Sequence, residues 1–370
     1  MCSLNTYPSA EISQGIYSKI MKMQYLLIRK IYIGAFVILE MVYNLELRFS
    51  TGIWVFGPGV ERFAPAGYKP AKDIVKLIEE ASTVAGLLGL EFHYPTEVNE
   101  GNVRVVKDAL STTKLKAVAI APVLSQEAQW ARGALSALDE DTRRRAVERC
   151  KKATDIAREL GAEILIIWPG REGFDFPFTT DYQKLWNNYV NSIKEVSEYA
   201  HDLKVAIEYK PEDPSSYLIH GSAGRVLATI LELRQYGVRN VGINVEFAHA
   251  KLAREWVPET IVLISRYNAL YHLHLNDIFT HVDLDLFPAS VNLLEYLELL
   301  YWLNKVGYSG WLGLDLFPRY LNAAEMVQQS IENIKTLYAK LEKVGWSKIE
   351  EVIKKNSPIE AQKLIRELII

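Results

Sequence analysis

The sequence predicts an α/β protein built as a (β/α)8 TIM barrel, a single domain with a short C-terminal helical tail. From residue 48 onward, short apolar, β-rich runs alternate with longer segments of helical periodicity, and eight such runs occur. Strands that alternate with helices form a parallel sheet, and eight of them can close into a barrel. Acids and histidines also follow several of the later runs, and a barrel collects its functional groups at the carboxyl ends of its strands.

The eight predicted strands are short and rich in β-branched or aromatic residues. They span residues 48–54, 89–93, 115–121, 163–168, 204–208, 241–244, 270–275 and 310–315. Between them, Lys69-Pro70 and the acids that follow Leu138 indicate helix starts, and Gly161 indicates a helix end. A helix is predicted over 322–343, and an amphipathic helix interrupted at Pro358 is predicted over 347–370.

The chain is expected to divide into three parts. Residues 1–44 are an N-terminal extension whose apolar stretch is interrupted by Arg29, Lys30 and Glu40 before a clean membrane span is reached. We expect the folded domain to begin near Leu45, with Met41 as a candidate start. The barrel then occupies 45–343, and the tail at 344–370 serves packing or a subunit contact.

Composition indicates a globular protein and excludes some partners. Of the 370 residues, 49% are hydrophobic and 24% are charged, which suits a large core and a polar surface. The net charge of -3 gives no basic bias toward a phosphate backbone, so neither nucleic acid nor membrane is expected as a partner. Two cysteines, Cys2 and Cys150, form no disulfide framework and fit a cytoplasmic location.

Seven acids and histidines near the ends of the later strands are candidate metal ligands. They are Glu208, Glu246, His249, His274, Asp283, Asp285 and Asp315. Five carboxylates cannot converge without cations, since each like-charged pair at about 5 Å costs roughly 3 kcal/mol at an effective dielectric of ~20. The pattern therefore predicts a metal site.

Each local spacing within this set is weak evidence when taken alone. Glu208 and Lys210 lie two apart and share a face of an extended segment, which also suits a surface salt bridge. A Glu-x-x-His spacing arises often by chance. Asp283 and Asp285 suit a hard divalent ion, but loop acids and helix caps have the same spacing. His274 is preferred as a ligand, whereas His272 and His281 are expected to be supporting or structural residues.

Three further residues stand where a barrel places substrate contacts. His93 ends the second predicted strand, and Trp54 and Trp168 end the first and the fourth. The two indoles suit flat walls against a ligand's carbon chain, although aromatic residues at these positions also cap a core.

Taken together in order, these motifs resemble those of xylose isomerase from about residue 45 to about residue 341. The matching segments are Leu47-Arg-Phe-Ser-Thr-Gly-Ile-Trp54, Phe92-His93, Trp168-Pro-Gly-Arg-Glu-Gly173, Ile207-Glu-Tyr-Lys-Pro211, Asn244-Val-Glu-Phe-Ala-His249, His272-Leu-His-Leu-Asn276, Asp283-Leu-Asp285 and Leu314-Asp-Leu-Phe317. The combination is highly specific, although no single motif is.

The resemblance implies two divalent ions, Mg²⁺, Mn²⁺ or Co²⁺, bridged by Glu246. It implies one ion held by Glu208, Glu246, His274 and Asp315, and a second held by Glu246, His249, Asp283 and Asp285. Lys210 would then bind the sugar oxygen at carbon one, His93 would assist ring opening, and Trp54 and Trp168 would wall the hydride path. A homo-oligomer, dimer or tetramer, is also expected.

Two departures from the xylose isomerase pattern affect the predicted metal ligands and the predicted partner of His93. Xylose isomerases usually have an aspartate at the position of His274. A histidine in a His-x-Asn-Asp setting, here His274 to Asp277, is more similar to rhamnose isomerase and related sugar isomerases and epimerases. An imidazole ligand also shifts preference from magnesium toward manganese or cobalt. The acid expected three residues after His93 is replaced by Thr96, so the neighbouring Glu97 either orients His93 or contributes to substrate binding.

The sequence thus predicts a metal-dependent aldose-ketose isomerase that interconverts D-xylose and D-xylulose, and D-glucose and D-fructose more weakly, by a 1,2-hydride shift. Alternatives on the same barrel are L-rhamnose isomerase and a sugar epimerase in which Glu208 and Glu246 face each other across one metal. An endonuclease IV-like DNA repair enzyme is disfavoured by the negative net charge and only seven histidines. A catalytically silent sugar-binding barrel is disfavoured by the full ligand set.

Overall fold

The computed structural model describes residues 45–370. The predicted N-terminal extension over 1–44, with its candidate start at Met41, lies outside the described residues. Among the described residues, none of the helices is long and apolar enough to cross a membrane.

Eight parallel strands close into a barrel, which confirms the predicted fold class. The barrel strands are β1 (Phe49–Gly52), β2 (Leu87–Tyr94), β3 (Lys116–Pro122), β4 (Ile164–Ile167), β6 (Lys204–Glu208), β8 (Val241–Glu246), β9 (Leu270–Leu275) and β10 (Leu312–Leu314). Each pairs with its neighbours in sequence order, and β1 closes the barrel by pairing with β10. The carboxyl ends of all eight strands therefore lie at one rim.

The predicted strands overlap all eight observed ones, with differences at their ends. The first strand stops at Gly52, and the 3-10 turn Ile53–Phe56 carries Trp54. The sixth strand in the barrel extends to Glu246, and the eighth is only three residues long. A short antiparallel ribbon of β5 (Gly173–Phe174) and β7 (Tyr217–Leu218) was not predicted and joins two rim loops.

Eleven α-helices are seen in the described part of the chain. They are α1 (Ile74–Ser82), α2 (Val103–Ser111), α3 (Glu140–Leu160), α4 (Tyr182–Tyr199), α5 (Ala223–Gln235), α6 (Phe247–Leu252), α7 (Val257–Ser265), α8 (Leu293–Lys305), α9 (Ala323–Val344), α10 (Trp346–Lys355) and α11 (Pro358–Ile369). The expected interruption of the tail occurs between α10 and α11, where Ser357 caps the helix that begins at Pro358.

Two of the helices begin directly after a residue whose side chain caps the first turn. The Asp139 carboxylate accepts the Thr142 N–H at 2.8 Å, which confirms the predicted start of α3. The expected start at Lys69-Pro70 is wrong, because α1 begins at Ile74 and the Asp73 carboxylate caps it by accepting the Lys76 N–H. A side-chain oxygen accepts a hydrogen bond from a free N–H group of the first turn. Proline is compatible with the first helical position but provides no such acceptor.

The barrel wall separates two buried apolar layers. On β4, Leu165 and Ile167 belong to the large core between strands and helices, whereas Ile164 and Ile166 belong to a separate smaller cluster with Ala206. This alternation follows from the two-residue period of a strand. The same period decides which polar residues of each strand point into the barrel and reach the rim cavity.

Candidate active site

A cavity of about 400 Å³ opens at the carboxyl ends of the barrel strands. It is lined by all seven candidate ligands and by four further residues singled out from the sequence. These lining residues are Trp54, His93, Trp168, Glu208, Lys210, Glu246, His249, His274, Asp283, Asp285 and Asp315. Side chains from segments more than 200 residues apart in sequence, such as Trp54 and Asp315, therefore converge in one place.

Glu208, Glu246 and His249 form the buried centre of the cavity. Glu208 is the last residue of β6 and Glu246 the last of β8, and α6 begins directly afterwards, so His249 lies on its first turn. The His249 Nδ1 atom is 3.3 Å from Glu208 Oε1 and 3.1 Å from Glu246 Oε2. Its Nε2 atom is 2.9 Å from Asp283 Oδ2.

Asn276 holds two of the carboxylates in place. Its side-chain amide donates to Glu246 Oε1 at 2.9 Å and to Asp285 Oδ1 at 2.8 Å. Asp285 lies in the loop between β9 and α8 with a φ of 48°, a left-handed conformation that is uncommon for a residue with a side chain. These hydrogen bonds hold Glu246 and Asp285 close together, and ligand atoms of Glu246, Asp283 and Asp285 lie within 4.8 Å of one another.

On the opposite side of Glu208, His274 and Asp315 complete the cluster. His274 pairs in register with Glu246 across β8 and β9. Its Nδ1 atom lies 3.2 Å from Glu208 Oε2 and 3.5 Å from Asp315 Oδ2. The indole N–H of Trp54 donates to Asp315 Oδ1 at 2.9 Å, so the aromatic wall is attached to the acid cluster.

The electrostatics of these carboxyls show an uncompensated excess of negative charge. Burial, with repulsion from Asp283 and Glu208, raises the pKa of Glu246 well above its usual range. Burial and the neighbouring acids Asp283 and Asp315 raise the pKa of Asp285 in the same way. A cation bound among these carboxylates would offset their mutual repulsion.

The donor atoms fit divalent ions. Three groups of ligand atoms at this rim lie within 4.8 Å of one another, namely Glu208 with Glu246 and His249, Glu246 with His274 and Asp315, and Glu246 with Asp283 and Asp285. Within the described residues, His249 Nδ1, His274 Nδ1 and Asp283 Oδ1 are buried without a hydrogen-bond partner. Buried, unsatisfied nitrogen and oxygen atoms beside carboxylates are the donor set that a divalent cation needs.

Lys210 places a positive charge beside one of the candidate ligands. Its ammonium lies 3.1 Å from Asp283 Oδ2 and 3.2 Å from Asp213 Oδ2, and 5.8 Å from the centre of the Trp168 ring. Burial alone would lower the pKa of Lys210, but attraction to Asp283 and Asp213 outweighs it and raises the pKa. The side chain is thus a fixed, charged hydrogen-bond donor at the cavity wall.

His93 lies against Trp54 at the cavity rim, with ring centres 4.2 Å apart. The Glu97 carboxylate accepts the His93 backbone N–H at 2.6 Å and lies 3.4 Å from its Nδ1 atom. Burial alone would lower the pKa of His93, but attraction to Glu97 outweighs it and raises the pKa. Glu97 contacts His93 and is not among the residues that line the cavity.

Three buried polar residues of the site were missed in the sequence. Asn244 donates to Glu208 Oε2 at 2.6 Å, Asn276 joins Glu246 to Asp285, and Glu91 contacts His274. Each could have been predicted from its spacing along the strand. Each lies two residues from a predicted site residue, and side chains two residues apart point to the same side of a strand. The two histidines that were expected to be supporting or structural differ in their burial. His272 is fully buried, whereas His281 is exposed.

The fold and the cavity define a parallel β/α barrel with a carboxylate- and histidine-lined site at its rim. The chain belongs to the xylose isomerase-like TIM barrel family, whose model matches residues 78–337.

Named relatives agree with this membership. The chain is 29% identical over 279 residues to the xylose isomerase of Thermus thermophilus, which covers 72% of this chain and 71% of that protein. It is 28% identical over the same length to the xylose isomerase of Thermus caldophilus.

Solved structures with a similar fold include several sugar epimerases. A 3-keto-D-glucoside 4-epimerase from E. coli superposes with a TM-score of 0.61 at 16% identity, over 79% of this chain and all of that one, 100%. The D-allulose 3-epimerase from Methylomonas sp. in complex with D-allulose gives a TM-score of 0.58 at 17% identity, over 80% and 99%. At these identities the similarity concerns the fold alone.

Proposed function

We propose that this chain is a metal-dependent aldose-ketose isomerase, with D-xylose to D-xylulose as the first reaction and D-glucose to D-fructose as a weaker one. One observation supports this most strongly: the candidate ligands line the same cavity as Lys210, His93 and the two tryptophans. A cavity of about 400 Å³ is also within the range of small-molecule sites. The family membership and the xylose isomerases among the relatives support the same reaction.

In this proposal Glu208, Glu246, His274 and Asp315 hold one divalent ion. Glu246, His249, Asp283 and Asp285 hold the other, so Glu246 is shared. The raised pKa of Glu246, caused by burial and then by Asp283 and Glu208, fits a bridging position between two cations. Two divalent ions and Lys210 would balance the five carboxylates. Imidazole ligands favour Mn²⁺ or Co²⁺ over Mg²⁺.

The bound ions would supply Lewis acidity to two adjacent oxygens of an open-chain sugar. The chain's own residues bind the sugar and assist the opening of its ring. Lys210 donates to the sugar oxygen at carbon one, from an ammonium held by Asp283 and Asp213. His93, oriented by Glu97, donates to the ring oxygen and assists ring opening.

Trp54 and Trp168 enclose the carbon chain and exclude water while a hydride moves between carbons one and two. Trp54 is held in place by its hydrogen bond to Asp315 and by its contact with His93. Exclusion of water keeps the migrating hydrogen from exchanging with solvent. The sugar is therefore the small-molecule partner, and a cytoplasmic location and a homo-oligomeric state belong to the same proposal.

A sugar epimerase is the second candidate, and one observation favours it. Glu208 and Glu246 both contact His249 Nδ1, and the ligand atoms of all three lie within 4.8 Å of one another. Two carboxylates that face each other across a single ion could act as the two bases of an epimerisation. Such a reaction removes a proton, and solvent hydrogen replaces it.

Incubation of the Mn²⁺-loaded protein with D-xylose, and separately with L-rhamnose, in deuterated water distinguishes these candidates. We expect NMR to show D-xylulose without deuterium at carbon one, because a hydride shift keeps the substrate's hydrogen. Ketose that carries substantial deuterium at carbon one would refute hydride transfer. Faster turnover of L-rhamnose would overturn the xylose assignment, and epimerisation of a ketose without aldose formation would favour the second candidate.

A further inference from the structure

A buried carboxylate beneath the proposed ion site has no role in the reaction described above. Glu91 lies within β2, is only 1% exposed and lines the inner end of the cavity. It lies two residues before His93, so both side chains point into the barrel. A buried carboxylate is costly unless hydrogen bonds satisfy it, so its partners indicate what it does.

Glu91 accepts hydrogen bonds from three side chains. Its Oε2 atom is 2.9 Å from His274 Nε2, and its Oε1 atom is 3.1 Å from His272 Nε2 and 2.7 Å from Ser50 Oγ. An ionised carboxylate can only accept, so each imidazole donates its Nε2–H. The hydrogen bond therefore places the ring hydrogen of His274 on the side away from the ion cluster.

In the neutral imidazole that can ligate a metal, the other ring nitrogen of His274 carries a lone pair. That atom, Nδ1, lies 3.2 Å from Glu208 Oε2 and 3.5 Å from Asp315 Oδ2. Within the described residues it has no hydrogen-bond partner. A lone pair that faces two carboxylate oxygens is repelled unless a cation lies among them, and an Nδ1 ligand satisfies all three groups at once.

We propose that Glu91 is a positioning residue that fixes His274 as an Nδ1 ligand of the ion held by Glu208, Glu246 and Asp315. The proposal rests on the two-ion site proposed above. A ligating histidine commonly donates its other N–H to a carboxylate, which sets the ring orientation and raises the basicity of the ligating nitrogen. Loss of such a partner typically costs about 10- to 100-fold in metal affinity.

The surrounding barrel leaves room for this pair and little else. Gly313 of β10 faces it, and a Cβ atom there would lie 2.8 Å from Glu91 Oε1 and 2.9 Å from His274 Cδ2. Both distances are shorter than ordinary contacts between heavy atoms. His272 and Ser50 hold the other carboxylate oxygen, so the Glu91 side chain is fixed from several sides.

A different use of the same residues is chelation of an additional ion by Glu91, His272 and His274, whose ligand atoms also lie within 4.8 Å of one another. The distances of 2.9 and 3.1 Å from the two Nε2 atoms to the carboxylate are hydrogen-bond distances. Direct N–H donation to Glu91 accounts for both distances. Three ions bound per wild-type chain would overturn the positioning role.

The test compares Mn²⁺ binding by the wild-type protein and by Glu91→Gln. Glutamine has one accepting oxygen and a donating NH2 group, so it cannot accept from His274, His272 and Ser50 at the same time, and the ring of His274 is held less firmly. We expect one of the two ions to bind about 10- to 100-fold more weakly and the other to keep its affinity. Pulsed EPR, which detects ¹⁴N nuclei bonded to Mn²⁺, is expected to show two ligating imidazoles in the wild type and one in the variant.

Glu172→Gln is the matched control. Glu172 is also a buried carboxylate, at 2% exposure, but it accepts from the backbone N–H groups of Ala134, Leu135 and Ser136 and contacts no proposed ligand. This variant is expected to bind both ions as the wild type does. Wild-type affinity at both sites and two ¹⁴N couplings in Glu91→Gln would overturn the proposal.

A second pair of variants tests whether the effect of Glu91 on metal binding passes through the imidazole of His274. An aspartate at position 274 ligates through its own carboxylate and needs no orienting partner. Adding Glu91→Gln to His274→Asp should therefore leave Mn²⁺ affinity unchanged or improved, and a tenfold loss there would overturn the positioning role. Failure of the two-ion site itself is distinguishable, because the wild-type protein alone would then bind fewer than two ions.

Discussion

At the residue scale, buried polar groups in this barrel are of two kinds. Those at the rim, such as His249 and Asp283, have buried atoms without a hydrogen-bond partner among the described residues, and these atoms face the carboxylate cluster. His220 also has a buried atom without a hydrogen-bond partner among the described residues, Nδ1, but it lies away from the cavity lining. Its Nε2 atom bonds to Thr229 Oγ1 at 2.9 Å, and its ring packs edge-on against Tyr189. We regard His220 as a structural residue that makes the fold sensitive to acid.

The pH dependence of stability tests this role. Burial, with repulsion from Arg225, lowers the pKa of His220 to about 3. The unfolded chain binds a proton below about pH 6.5, whereas the folded chain does not until a much lower pH, so stability falls as the pH drops through this window. Between about pH 7 and about pH 5, we expect the wild-type free energy of unfolding to fall by about 2 kcal/mol more than that of His220→Gln.

Urea unfolding of the metal-free protein at the two pH values measures this difference. The exposed His201 provides the control, and His201→Gln should keep the wild-type pH dependence. An equal loss of stability in wild type and His220→Gln would show that His220 does not limit acid stability.

At the element scale, the ribbon of β5 and β7 connects the loop that carries Trp168 to the loop that carries Lys210. The β5 end is anchored by Glu172, which accepts backbone N–H groups of the segment 134–136. The close approach of the two strands requires glycine at position 173, since a Cβ atom there would lie 1.8 Å from the Tyr217 carbonyl oxygen. The Trp-x-Gly-Arg-Glu-Gly motif therefore builds the cavity wall through its scaffold residues as well as its indole.

Gly173→Ala should separate the two loops while the barrel stays folded. We expect at least a tenfold drop in kcat/KM for D-xylose, a loss of about 1.4 kcal/mol of transition-state stabilisation, with Mn²⁺ affinity unchanged. Circular dichroism checks that the barrel is folded, steady-state kinetics measure kcat/KM, and Mn²⁺ titration measures the metal affinity. Gly224→Ala is the control, because a Cβ at the start of α5 meets nothing within 4 Å. Wild-type kinetics for Gly173→Ala would refute the coupling of the loops.

At the scale of the whole molecule, the barrel and the meeting of the candidate ligands at one rim follow from the order and phase of the strands. Polar residues at the ends of β6, β8 and β9 had to meet because parallel strands end at one rim, and that placement needs no knowledge of side-chain packing. The contacts between distant strands could not be predicted in this way. Glu91 meets His274 across 183 positions of sequence, and only closure of the barrel brings them together.

The start of the first helix and the short ribbon depend on local contacts that the pattern of apolar residues does not reveal. The first helix starts at the Asp73 cap and not at Lys69-Pro70, because the carboxylate offers the first turn a hydrogen bond. The ribbon of β5 and β7 is too short to have a hydrophobic period, and only the close approach at Gly173 defines it. The division of the chain at residues 44 and 343 stays a prediction.

Mn²⁺ titration followed by EPR is the strongest test of the proposed pair of divalent ions that share Glu246. We predict two Mn²⁺ bound per chain and a spectrum of magnetically coupled ions at saturation, because a carboxylate bridge places them close together. In Glu246→Gln, we expect the coupling and the isomerase activity to be lost together. Saturation at one ion per chain, or two ions without coupling in the wild-type protein, would contradict the shared-ligand site.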